Sequence, residues 1–82
     1  MGIDPMHTVL INRLHRQDAG VASAVSRGRP EMRADTFVLW YDADAQASRR
    51  TAQAARVLIA EELAQLTGSL LALDICATQE PV

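Results

Sequence analysis

The chain has no lysine; all eight of its basic residues are arginines. It has one cysteine and only one each of tryptophan, tyrosine and phenylalanine. A single cysteine, Cys76, excludes an intramolecular disulfide and fits a reducing compartment. Set in an apolar run, its thiol is expected to behave as a small buried hydrophobe. No apolar stretch reaches the ~18 to 20 residues that crossing a bilayer requires, and the first residues lack the apolar core of a secretion signal. The expected location is therefore cytoplasmic, with no membrane partner. Charge of one sign is also scarce: the formal net charge is -2, which offers no global attraction to nucleic acid or anionic lipid.

What is present is apolar residue, 49% of an 82-residue chain with 22% charged residues, too hydrophobic for disorder. A domain this small hides only about 60% of the surface its unfolded chain would expose. A thin core of that kind favours burial of a second face in a partner, so a dimer or larger assembly is expected. Residues 1–5, "MGIDP", read as a remnant of cloning ahead of Met6, and residues 6–82 read as one small α/β domain.

Within that domain, "TVLINRLHR" (residues 8–16) reads as a strand, with Val9 and Ile11 on one face and Leu10 and Leu14 on the other. Residues 17–35 are small and polar, with Gly20, Gly28 and Pro30; they read as a loop or as a short helix around Ala19 to Ser26. Phe37 to Tyr41 are consecutive bulky residues, the pattern of a central strand covered on both faces. Residues 45–67 lack glycine and proline, are rich in helix formers and are followed by Gly68, which predicts one long helix. At 100° per residue, Ala52, Ala55, Leu58, Ile59, Leu63 and Leu66 share a face, while Arg49, Gln53 and Ala60 look away. "LLALDICA" (residues 70–77) reads as a further strand. The sum is an α/β fold: a small sheet of about three strands, a right-handed βαβ unit and one long helix packed on it.

The stretch "TFVLWYDADAQASRRT" leads from the central strand to Asp42 and Asp44. A parallel βαβ unit brings the carboxyl ends of its strands to one edge, where ligands usually bind, and Asp74 lies toward the same edge. Three carboxylates converging there would suit Mg²⁺, which takes oxygen ligands. An apolar strand followed by Asp-x-Asp also resembles the first motif of the haloacid-dehalogenase-like phosphatases. That resemblance implies a nucleophilic Asp42 and a proton-handling Asp44, but Ala45 and Gln46 stand in place of its glycine and threonine, and its lysine has no counterpart. The structural alternative is capping: Asp44 or Ser48 accepts hydrogen bonds from the first N–H groups of the helix, worth roughly 0.5 to 2 kcal/mol. Capping is the preferred reading.

Glu62 falls on the apolar face of the helix, where a charge must be paired or reach water. It is expected either to extend past the sheet or to meet an arginine across an interface. On the opposite face Ala54, Val57, Ala60, Glu61 and Ala64 form a smooth surface on which another copy of the chain can approach closely, although alanine is also simply the best helix former. The arginines of the first half could touch phosphates, but no aromatic residues are interleaved for base stacking, so nucleic acid is not the expected partner. His7 and His15 lack partners at zinc-ligand spacing.

Residues 36 to 82 resemble the KaiB family of circadian-clock proteins, which have a thioredoxin-like fold. The likeness lies in "FVLWY", in Ser48-Arg49-Arg50 at the helix entry, in "IAEEL" at residues 59–63, in "LALDI" at residues 71–75 and in Pro81. It implies a non-enzymatic regulatory module that docks to other proteins. The expected function is accordingly a small adaptor acting through protein contacts with itself and with another protein, without a resident cofactor. Two alternatives remain: Mg²⁺-dependent phosphoryl transfer or metal binding at Asp42, Asp44 and Asp74, and nucleic-acid binding through the arginines.

Overall fold

A computed structural model of the chain describes residues 2–78. Its first element is a helix, α1 (Ile3–His15), where a strand was expected over residues 8–16. The deciding pattern is Met6, Leu10 and Leu14, one turn apart and all buried, with Ile3 and Ile11 packed against the same core. Residues read as a cloning remnant supply the first turn of this helix. Pro5 sits in that turn, where a missing N–H costs little, and Asp4 complements the positive end of the helix while Arg13 and His15 complement the negative end.

Helix α2 (Ala19–Ser26) follows a tight connection, and Asp18 is its N-cap, accepting from the N–H groups of Gly20 and Val21. His7 Nε2 donates to the Val25 carbonyl at 2.9 Å and ties the two helices together. The chain then forms a hairpin that the sequence did not signal: β1 (Arg29–Arg33) and β2 (Thr36–Tyr41), joined through Ala34 at φ 52°. Pairing is antiparallel from Arg29 opposite Trp40 to Arg33 opposite Thr36.

After β2 a single 3-10 turn (Ala43–Ala45) leads into helix α3 (Gln46–Ala54), and a break at Ala55 separates it from α4 (Arg56–Thr67). The expected single long helix is therefore two, divided at a residue with no glycine or proline to mark it. The break lets α3 pack between α2 and the sheet while α4 packs on α1. Gly68 ends α4 in the left-handed conformation, φ 72°, as its position predicts. Strand β3 (Ala72–Ala77) runs parallel to β2, completing a β-α-α-β unit in a three-stranded sheet of order β1-β2-β3.

All four helices lie on one face of this sheet. Phe37, Leu39 and Tyr41 of β2 and Leu73 and Ile75 of β3 meet Leu10, Leu14, Val25, Ala52, Ile59 and Leu63 in one core. Each fully buried large side chain in it contributes roughly 1.5 to 3 kcal/mol. Alternation sends Thr36, Val38, Trp40, Ala72, Asp74 and Cys76 to the other face, which no helix covers. The expectation that β2 is covered on both sides thus holds on one side. Val38 is nevertheless 3% exposed, standing between its cross-strand neighbours Glu31 and Asp74. Ala60, expected to look away, packs partly against the core.

Tyr41 fixes the sheet to α2. Its hydroxyl donates to the Ala24 carbonyl at 2.6 Å, and its ring lies against Gly28, where an added Cβ would come within 2.8 Å of Cζ. Burial pushes the phenol pKa up to about 12.

Candidate functional site

The three aspartates are not gathered into one group. Asp42 leaves the end of β2, but its carboxylate lies 3.7 Å from Arg29 Nη2 and accepts from the Thr78 hydroxyl at 3.1 Å. Asp74 pairs in register with Val38, well before the carboxyl end of the sheet where Tyr41 meets Ala77. Arg56 of α4 reaches it past the edge of β3, with Nη2 4.0 Å from Asp74 Oδ1. Among the described residues, no group of three or more His, Cys, Asp or Glu side chains is placed to hold a metal. Capping is not their role either. Helix α3 has no side-chain cap, because the intervening 3-10 turn makes Ala45 its first flanking residue and leaves Asp44 and Ser48 beyond the cap position. The capping aspartate of this chain is Asp18.

The arginines of the first half are divided among separate tasks. Arg13 reaches α4, and Arg29 faces Asp42. Arg33 donates to Glu31 at 2.8 Å and stacks over the Trp40 ring at 5.3 Å, while Trp40 Nε1 donates to the same Glu31 oxygen at 2.9 Å. The Trp40 indole N–H, helped by the charge of Arg33, holds the Glu31 carboxyl below its ordinary range against the opposing effect of desolvation. Arg16 and Arg27 are exposed.

Glu62 neither extends past the sheet nor waits for a second chain. It is 7% exposed, with Arg13 Nε donating to Oε1 at 3.0 Å and Gln17 Nε2 donating to Oε2 at 2.7 Å. Arg13 Nη2 also donates to Gln65 at 2.8 Å, so a polar clasp joins α1 to α4.

The outer side of α4 carries exposed apolar surface. Arg56, Val57, Ala60, Glu61 and Ala64 of the helix, with Leu70 and Leu71 beyond it, line an apolar groove of about 410 Å³. Val57 is 70% exposed and Leu70 93% exposed. Four of the five residues expected to form a contact surface, Val57, Ala60, Glu61 and Ala64, line this groove, and Ala54 lies outside it on α3. The sequence pattern places both leucines at the start of a strand over residues 70–77. Ser69 and the αL turn at Gly68 hold them outside it instead, with β3 beginning at Ala72.

The groove borders the outer edge of β3. In the parallel ladder Ala72 donates to Asp35 and Thr78 donates to Tyr41, so the even-numbered residues of β3 bond to β2. The N–H and C=O groups of Leu73, Ile75 and Ala77 therefore point outward. Arg56 Nη2 donates to the Leu73 carbonyl. Among the described residues, no hydrogen bond reaches the outward groups of Ile75 and Ala77. Comparison with protein-family models, with characterised proteins and with solved structures gave no match. Among the described residues, no helix is long and apolar enough to cross a membrane.

Proposed function

We propose that the chain is a small non-enzymatic module that works through protein contacts and assembles with itself. The observation that carries this reading is the groove on α4, where Leu70 and Val57 stand 93% and 70% exposed over a floor of alanines. In a chain that buries its other leucines and isoleucines wholly or partly, two side chains held in water beside a smooth concavity favour removal of that surface by a partner. The likeness of residues 36 to 82 to the KaiB family, which implies a docking role, points the same way. The test is the molar mass by light scattering of the chain and of a Val57→Asp, Leu70→Asp double variant, each with its circular dichroism recorded. The reading expects a mass above 8.9 kDa for the native chain and a lower one for the folded variant. A native chain that stays at the monomer mass at high concentration overturns it.

A further inference from the structure

We infer that a second copy of this chain adds to the outer edge of β3, antiparallel, with the two-fold axis passing through Cys76; this rests on the self-assembly proposed above. The two edges of the sheet differ in kind. The ladder leaves Pro30 and Met32 of β1 facing away from β2, so a missing N–H interrupts that edge, and Arg29, Glu31 and Arg33 surround it with charge. On β3, Ile75 and Ala77 present outward N–H and C=O groups in a strand whose one charged side chain is Asp74. Nothing in its composition blunts that edge.

Which register a second copy takes is decided by Arg56 and Asp74. Arg56 occupies the Leu73 carbonyl and is held there by Asp74 as well, so an incoming strand must be satisfied with Ile75 and Ala77. An axis through Cys76 meets that condition. Ile75 then exchanges both backbone bonds with the partner's Ala77, and Ala77 does so with the partner's Ile75. An axis through Ile75 requires the Leu73 carbonyl. An axis through Asp74 requires it too, and sets two carboxylates directly opposite each other, a destabilising pair. An axis through Ala77 leaves Ile75 facing past the end of β3. With the axis at Cys76, Asp74 faces the partner's Thr78, a hydroxyl, and the three-stranded sheet becomes one continuous sheet across both copies. The groove adjoins this edge through Arg56, which borders both.

The register makes Cys76 and the partner's Cys76 a non-hydrogen-bonded pair, with Cα atoms about 4.5 Å apart, inside the ~4.4 to 6.8 Å span of a disulfide. Since the chain has one cysteine, covalent dimer formed by diamide, which takes up both thiol hydrogens, reports that contact alone. The native chain is expected to scatter as a dimer and to cross-link at low oxidant. Ala77→Pro removes an outward N–H without touching the bonds to β2, and is expected to give a monomer with unchanged circular dichroism and at least a tenfold slower cross-link. Ala77→Val keeps the N–H and the dimer. A dimer that persists in folded Ala77→Pro, or one that diamide fails to cross-link, overturns the edge and its register while self-assembly stands. A native chain that is monomeric overturns both.

Discussion

Replacing Arg13 by methionine tests whether the clasp between α1 and α4 holds a charge that the core cannot otherwise tolerate. Methionine keeps the packing of the arginine stem and removes the guanidinium. The side chain of Glu62 is 9% exposed and would retain one donor, Gln17, of the two it has now. Removing one partner of a fully buried pair costs about 3 to 5 kcal/mol. Arg13 itself is 35% exposed, so solvent already screens the pair, and the surviving Gln17 bond offsets part of the loss. We expect a loss of about 2 kcal/mol. Total stability for 82 residues is of the order of 4 to 12 kcal/mol, so this is a sizeable fraction and lowers Tm by roughly 10 °C. Urea denaturation followed through the single tryptophan, Trp40, measures it. The double variant Arg13→Met, Glu62→Met removes both charges and is expected to recover most of the loss, because an apolar pair of similar volume fits a buried site about as well as an ion pair. A single variant that loses less than about 0.5 kcal/mol, or a double variant as unstable as the sum of the two singles, would refute the view that Glu62 depends on Arg13.

Two further outcomes follow from Tyr41. Its pKa is raised in the fold from an ordinary 10.0 to about 12, so the stability it contributes is complete below about pH 10 and is lost as pH climbs through 12. Alkaline unfolding monitored by circular dichroism should therefore steepen above pH 10 and flatten in Tyr41→Phe; identical profiles would contradict the assignment. Gly28→Ala places a methyl group against the Tyr41 ring, whose hydroxyl is already anchored on Ala24, and is expected to cost about 1 to 3 kcal/mol. A thermal melt unchanged by that substitution would mean that the ring can retreat.

The parallel pair β2 and β3 was legible because each is a short apolar run, and the segment between them because it lacks glycine and proline while Gly68 marks its end. The fate of residues 8–16 was not legible in the same way. Over nine residues, Val9, Leu10, Ile11 and Leu14 satisfy a two-residue period nearly as well as a helical one, and setting aside Ile3 and Met6's first-turn neighbours removed the positions that separate them. β1 escaped notice because "RPEMR" carries charge and proline, as edge strands do, and owes its strand geometry to the pairing partner rather than to its own propensity. Of the candidate residues, helical spacing placed Val57, Ala60, Glu61 and Ala64 together, and they line one groove, whereas the break at Ala55 that sets Ala54 on α3 has no mark in the sequence. The separation of the carboxylates was not legible because the 3-10 turn after Asp42 and the pairing of Asp74 with Val38 are tertiary facts; the order of residues places Asp42 and Asp74 near one sheet, not an arginine beside each.

The exchange of one strand for another changes what kind of assembly this sheet can make. Had residues 8–16 formed an apolar edge strand, the sheet would offer two open edges of unlike sequence. Pairing one edge with the other of the next molecule is heterologous and continues indefinitely unless it closes into a ring. As a helix, α1 instead contributes Met6, Leu10 and Leu14 to the core, and the hairpin fills the vacated edge with Pro30 and three charged residues. That leaves β3 as the edge available for addition, and in the proposed assembly its pairing with a second copy is an isologous contact closed by a two-fold axis. Arg56, by covering the Leu73 carbonyl, then shortens the open edge to Ile75 and Ala77 and so limits how far two copies can slide along each other. In that proposal the same arginine, at the first position of α4, couples the break at Ala55 to the register of assembly. Without that break a single straight helix would aim residue 56 elsewhere around its axis, and the edge would lose the group that sets where a partner strand must stop.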